Sequence, residues 1–393
     1  MTSWDTPGAR RLELSRRLRK RGIGLAIISN PRHIFYFSGF PSNLDMYLTL
    51  MKGQRSTSFL AIGSEGESSL FLGESEVSSP FTQQRADLPE TLDEGVFTYP
   101  DYDIDLRMVA HAPDVAREMG RWLGKMPGPK PEKVGIEDWN LAVAYRAKVE
   151  KRYPDSDLVG VSDLVMDMRR SKGEDELSSL REANKIVDFA FEAARREARP
   201  GRSELDLYRT MNDAAFKQYG PYAWVIGDIV SGERSLGVGG LATARKIRKG
   251  ETVILDLQAA SNNYWSDLAR TFVAGAPSQK QEQALRTLVR AKDRAAEMLK
   301  PGTAAHSICE AVDGILTEEG YGRMIHHVGH GVGLDAQERP WIIRGSRDKV
   351  REGDVCVIEP GIYDGELGGI RVEDCYIVTK DGAEKISRFP IAL

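Results

Sequence analysis

The sequence predicts an α+β protein in two parts, an α/β domain over residues 1–168 and a mixed helix-and-sheet domain over residues 169–393. Three observations carry this reading. The chain's 393 residues exceed what one ordinary core organises. Short apolar runs bounded by turn residues give way to helical periodicity within the first part. A densely charged helical passage then leads into a second series of strands, interrupted by further helices.

The first element is the basic run Arg10 to Arg21, which carries Leu12, Leu14 and Leu18 and stops at Gly22. It reads as an amphipathic helix with a glycine C-cap, its basic face solvated and its leucines docked on a sheet. The runs "GLAIISN", "HIFYFSG", "TSFLAIG", "SSLFLG" and "GVFTYP" read as strands. A helix near 112–124, the strand "KVGIED", a helix near 141–152 and the strand "DLVGVS" complete the first domain.

The domain boundary is placed between Asp167 and Gly173. Beyond it, "GEDELSSLREANKIVDFAFEAARREARPGRSELDLYRTMNDAAFKQYG" reads as two helices broken at "RPGRSE". Ser203 and Asp206 stand at capping-box spacing for the second. After residue 220 come the strands "YAWVIGDIVSG", "ETVILDLQAA" and "DLARTFVAG", helices over about 278–299 and 303–319, and strands near 355 and 370.

Composition removes several function classes. A net charge of −4 supplies no large basic surface, which argues against nucleic-acid binding through phosphate contacts. No apolar run is long enough to span a membrane, and the first residues lack a signal-peptide core. Cys309, Cys356 and Cys375 are odd in number and form no CxxC pair, so a reducing, cytoplasmic setting is expected.

Five positions carry the chemistry. Asp256 ends the apolar "TVILD" and Asp267 follows in "YWSDLART". Two strands joined by a short turn bring carboxylates on facing positions within about 5 Å. His330 sits in "GHG", Glu359 closes "VCVIE" before "PG", and Glu373 closes "GGIRVE". Taken singly, each carboxylate reads as a surface or turn residue. Four carboxylates and an imidazole, each ending or interrupting an apolar strand, would be costly to bury unpaired, and a pair of divalent cations removes that cost. Such sites hold two metals about 3.5–4 Å apart with a water or hydroxide between them. Oxygen-rich ligation with one imidazole suits Mn, Fe, Co or Zn.

These stretches resemble the prolidase, aminopeptidase P, creatinase and methionine aminopeptidase superfamily. "LDLQAASNNYWSDLARTF" is similar to its two-aspartate hairpin, "HHVGHGVGLDAQERP" to its histidine segment, and "VIEPGIYDGELGGIRVED" to its paired-glutamate hairpin. The resemblance covers essentially the whole chain. It implies a pita-bread catalytic domain behind a creatinase-type N-terminal domain, with Asp256, Asp267, His330, Glu359 and Glu373 holding two divalent metals, manganese first among them. It further implies Glu359 as proton shuttle, Arg371 as a brace for an acidic ligand, and His326 near the substrate. The implied activity is hydrolysis of an amide C–N bond by a metal-bridging hydroxide, with an Xaa-Pro peptide as substrate. A homodimer is implied too, with the loops at 42–47 and 99–105 as candidates for closing a neighbour's site.

The chain departs from the family at two histidines. Gly239 stands where one is expected before the first aspartate, and Gln337 stands where another opens the "HE" pair. Glutamine still donates a hydrogen bond but does not carry a proton near neutral pH, and glycine does neither. Gln258 and Asn263 replace usual glycines. Asn263 tolerates a left-handed turn, and Gln258 shares the face of Asp256, where it would contact substrate, orient a ligand or serve as an ordinary sheet residue. His327 should face away from His326 if the segment is extended, and His33, His111 and His306 read as structural. A phosphate-loop reading of "GVGG" fails for want of a following helix with Lys or Ser/Thr. Loss of both histidines leaves open small-molecule chemistry on the same metals: C–N hydrolysis of guanidino or amidine compounds, ectoine ring opening, or dimethylsulfoniopropionate lysis. A non-catalytic binding protein is the third reading.

Overall fold

The computed structural model describes residues 4–40, 57–74, 77, 95–100, 102–103, 108–109, 112–126, 130–220 and 223–393. They fall into two compact units, one ending at Met168 and the other running from Arg169 to Leu393.

The first unit is built on a six-stranded mixed sheet. Its strands are β1 (Leu25–Ile28), β2 (Phe59–Gly63), β3 (Ser68–Gly73), β4 (Val96–Tyr99), β7 (Lys133–Ile136) and β8 (Asp157–Gly160), in the order β4-β3-β2-β1-β7-β8. The short strands β5 (Tyr102–Asp103) and β6 (Met108–Val109) pair separately. Helices α3 (Ala112–Gly124) and α4 (Val143–Arg152) pack Met119, Trp122, Tyr145 and Val149 against Ile27, Phe59 and Phe71, and α5 (Ser162–Arg169) follows β8.

Two expectations are corrected here. "HIFYFSG" is not a strand but helix α2 (Pro31–Ser38). Pro31 pre-sets the first helical turn, Asn30 Oδ1 accepts from the Arg32 N–H at 2.9 Å, and Gly39 ends the helix in the left-handed region. A uniformly apolar run has no periodicity to tell helix from strand, so the caps decide. The basic face of helix α1 (Pro7–Lys20) is also not wholly solvated. Arg10 and Arg11 are buried and donate to the Tyr36 and Phe37 carbonyls, which lie at the end of α2 and lack partners within it. Leu14 and Leu18 are buried while Leu12 is 63% exposed, because position 12 lies on a different helix face.

In the second unit, two helix pairs each back a sheet. Helices α6 (Glu174–Glu197) and α7 (Glu204–Tyr219) cover β9 (Val225–Ser231), β10 (Thr252–Ser261) and β11 (Tyr264–Val273), where Val187, Phe191, Leu207 and Met211 meet Leu255, Leu257 and Leu268. The capping box of α7 is reciprocal: Ser203 Oγ accepts from the Asp206 N–H at 3.2 Å, and Asp206 accepts from the Ser203 N–H at 2.8 Å. Helices α8 (Gln279–Glu297) and α9 (Ala305–Glu318) cover the sheet formed by β12 (Gly329–Gly331), β13 (Glu338–Ile342), β14 (Val355–Ile358), β17 (Asp374–Val378) and β18 (Ala383–Lys385). A hairpin of β15 (Gly361–Asp364) and β16 (Gly368–Arg371) stands beside it.

Strand alternation then does the positioning. Leu255 and Leu257 face the helices, so Asp256 and Gln258 face the other way. Asn262 and Asn263 both take positive φ (47° and 68°), which makes the two-residue turn between β10 and β11. Among the described residues no helix is long and apolar enough to cross a membrane.

Candidate metal centre

Asp256 lies in β10, Asp267 in β11 and His330 in β12. Glu359 follows the last residue of β14, and Glu373 lies between β16 and β17. The two aspartates are not directly opposite as expected. Asp256 pairs with Ala269 and Asp267 with Gln258, so the carboxylates meet on the diagonal of one face. The directly paired Gln258 donates from Nε2 to Asp267 Oδ2 at 2.9 Å.

The group is tight. His330 Nε2 is 3.4 Å from Glu359 Oε1 and 3.7 Å from Asp267 Oδ2. Asp267, His330 and Glu373 each offer a ligand atom, all within 4.8 Å of one another, and all three residues are buried. A cavity of about 180 Å³ opens onto Asp256, Asp267, His330 and Glu359, and Gln258, His326, Gln337 and Arg371 line it as well. Glu373 sits behind this lining, and Gly239 does not reach it.

These residues fit divalent metal ions. Asp267 Oδ1 and Glu373 Oε2 are buried without a hydrogen-bond partner among the described residues, an arrangement that costs free energy unless a cation satisfies it. Burial, then the charges of Asp256 and Glu359, push the Asp267 carboxyl well above its usual range, and burial with Asp267 and Asp256 does the same to Glu373. His330 Nδ1 lies 2.9 Å from the Gly331 carbonyl. A carbonyl only accepts, so Nδ1 carries a proton, and Nε2 is the ring nitrogen turned to the carboxylates and open to a metal.

Around this core, Arg371 pairs with Asp256 Oδ2, donates from Nη2 to the Val238 carbonyl, and donates from Nε to the Tyr363 hydroxyl at 2.8 Å. Tyr363 in turn reaches His326 Nε2 at 2.8 Å, and His326 Nδ1 donates to the His327 carbonyl at 2.7 Å. Both ring nitrogens of His326 are therefore engaged. Burial and the nearby Arg371 charge push it down to about 4, which keeps it neutral near pH 7.

His327 does not face away. Bends at Ile325, His326 and Val328 break the alternation an extended strand would impose, and His327 Nε2 reaches Glu359 Oε1 at 2.8 Å. Against the burial that would raise it, these imidazole contacts from His327 and His330 hold Glu359 well below the usual carboxylate range. Gln337 lies at the cavity wall just before Glu338, which is buried between Lys172 Nζ at 2.6 Å and Arg169. Away from this centre, His33 Nδ1 contacts the buried Glu137. His306 faces the Ser346 carbonyl at 3.2 Å. His111 and residues 42–47 lie outside the described residues, as do 101, 104 and 105 of the second candidate loop.

Sequence reasoning turned His327 the wrong way, by assuming regular alternation, and passed over Asp228 in the cavity lining and Tyr363, which reaches the site through His326 and Arg371. Asp228, in "VIGDIVSG", is a charged residue interrupting an apolar strand, and that was a legible signal. It stands directly opposite Asp256 in the β9–β10 pairing.

A buried carboxylate–imidazole cluster on two helix-backed sheets is a setting for divalent metal, and the chain's family makes it a metal-dependent hydrolase. The chain belongs to metallopeptidase family M24, whose model matches residues 178–380, and the creatinase/prolidase N-terminal domain model matches residues 10–171. An Xaa-Pro dipeptidase of Pyrococcus horikoshii is 31% identical over 293 residues, covering 71% of this chain and 83% of the relative. That of Pyrococcus furiosus is 32% identical, covering 71% and 84%. Among solved structures, the prolidase from Pyrococcus horikoshii superposes with a TM-score of 0.79 at 26% identity, over 98% of this chain and 99% of that one. An Xaa-Pro dipeptidase from Bacillus anthracis gives 0.80 at 25% identity, over 98% and 99%. The pita-bread catalytic domain and its creatinase-type N-terminal domain are thereby shown.

Proposed function

We propose that this chain is a dinuclear-metal peptidase that cleaves short peptides at an Xaa-Pro bond, with Asp256, Asp267, His330, Glu359 and Glu373 as the metal ligands. The observation that carries the reading is the convergence of these side chains with buried oxygens on Asp267 and Glu373 left unpartnered. The Xaa-Pro dipeptidase names of the relatives support the substrate class.

Bound divalent metals would polarise the scissile carbonyl and lower the pKa of a water. The chain's own residues do the rest. Glu359, held ionised by His327 and His330, takes a proton from the attacking water and delivers it to the leaving nitrogen. Arg371 fixes Asp256, and Gln258 fixes Asp267, so each ligand oxygen is aimed before metal arrives. Gln337 donates a hydrogen bond toward the substrate carbonyl in place of an imidazole. Manganese is the first metal to supply, with Fe, Co and Zn as alternatives. The reading also carries forward a homodimer and a cytoplasmic setting, the latter supported by three free, buried cysteines.

The test is hydrolysis of Leu-Pro and Met-Pro by purified protein reloaded with each metal in turn. Release of free proline supports the reading, and its absence with every metal ends it. A second reading, C–N hydrolysis of a small non-peptide, is supported by the absent histidines at 239 and 337. Turnover of guanidino or amidine compounds without turnover of dipeptides would select it.

A further inference from the structure

The space that a side chain at 239 would need is taken by Asp228. A Cβ built on Gly239 would lie 2.6 Å from Asp228 Cγ and closer still to Oδ2. Glycine at 239 and aspartate at 228 are therefore one arrangement, with a carboxylate standing where an imidazole was expected. The loop around it is pinned from two sides. Asp228 Oδ1 accepts from the Gly240 N–H at 2.9 Å, and Arg371 holds the Val238 carbonyl.

Holding the loop does not explain the charge. Oδ1 alone makes the loop contact, and an asparagine would make it equally well. Among the described residues Oδ2 accepts no hydrogen bond, and Asp228 lines the cavity. The nearby cations are committed elsewhere, Arg371 to Asp256 and Arg234 to Glu204. Asp228 also sits directly across the strand pair from Asp256, a like-charge pairing that disfavours the fold. Two divalent ions would balance the four ligand carboxylates, which leaves Asp228 and Arg371 as opposite charges beside the cavity, and Asp228 Oδ2 makes no hydrogen bond to Arg371 among the described residues.

We propose that Asp228 is a specificity-determining residue whose carboxylate accepts a positively charged nitrogen group of the substrate, an ammonium or guanidinium. This rests on the reading of the cavity as a peptide-cleaving metal centre. The charge has two sources in a short peptide, the α-ammonium or a basic side chain, and the two are separable.

The experiment compares wild type with Asp228→Asn, metal-loaded and full-length, on Leu-Pro, Lys-Pro, Glu-Pro and N-acetyl-Leu-Pro. Asparagine keeps the acceptor for Gly240, and a matched melting temperature verifies the fold. If the side chain is read, kcat/KM for Lys-Pro over Leu-Pro falls roughly tenfold or more in the variant, and Glu-Pro gains relative to both. If the α-ammonium is read, all three free dipeptides fall by that factor while N-acetyl-Leu-Pro, poor from the start, does not. A gain for Glu-Pro, or sparing of the acetylated peptide, is not produced by general damage to the site. Equal change across all four peptides, or none, overturns the proposal. Should wild type cleave no peptide, the peptidase reading fails by itself. Calorimetry with agmatine and L-lysine then decides the inference: binding that Asp228→Asn weakens tenfold or more upholds it, and no binding to wild type overturns it.

Discussion

Gln258 Nε2 donates to Asp267 Oδ2 at 2.9 Å across directly paired positions of two neighbouring strands. The amide thereby gives an orienting contact to one of the proposed ligand aspartates. Gln258→Ala is expected to weaken metal affinity roughly ten- to a hundredfold, the usual effect of losing an outer partner of a ligand. Metal titration by calorimetry reads it, and an affinity within twofold of wild type would show the contact to be incidental.

The overlap between position 239 and Asp228 makes a second expectation. Gly239→Ala forces a methyl group onto the Asp228 carboxylate and should destabilise the catalytic unit by about 1–3 kcal/mol. Adding Asp228→Gly should return most of that loss. Urea denaturation of the single and double variants checks it, and additive losses would mean that the two positions do not share the space.

Glu338 is fully buried between Lys172 and Arg169, beside Gln337. Burial would raise its pKa, but the two cations outweigh that and hold it below its ordinary 4.5. A depressed folded-state pKa contributes stability above the unfolded value and loses it as pH falls through the folded value. Glu338→Gln should therefore cost about 3–5 kcal/mol near neutral pH, because buried Lys172 loses its carboxylate partner while Arg169 keeps Asp335. The gap between wild type and variant should narrow below about pH 4.5. A gap independent of pH would place the cost in packing rather than charge.

Glu359→Gln keeps the side-chain shape and removes the proton carrier. A fall in kcat of roughly 10²–10⁴-fold with the melting temperature of the metal-free protein little changed is expected. Retention of more than a tenth of wild-type turnover would assign the proton to another group.

Much of this was legible in the sequence, for physical reasons that differ by element. Asp256, Asp267, His330, Glu359 and Glu373 stood out because charge within or at the end of an apolar run demands a partner, and they do converge. The capping box at Ser203 was legible because it is a purely local device. Helix α2 was not, since "HIFYFS" is apolar at nearly every position and only Pro31 and Asn30 distinguish helix from strand. His327 was turned the wrong way and Tyr363 was missed because their orientation depends on bends and on contacts between segments distant in sequence. The diagonal placement of Asp256 and Asp267 required the register, which the two-asparagine turn sets. Asp228 was readable as an anomaly in its strand, yet its meaning came only from its distance to Gly239.

The central claim, a two-metal site that hydrolyses Xaa-Pro bonds, is tested most directly by one titration. Protein stripped of metal is reloaded with increasing manganese while bound metal per chain and proline release from Leu-Pro are followed together. The account predicts no activity in the stripped protein and a rise that saturates at two ions per chain. Full activity without metal, or two ions bound with no release of proline under that metal or Co, Fe or Zn, would contradict it.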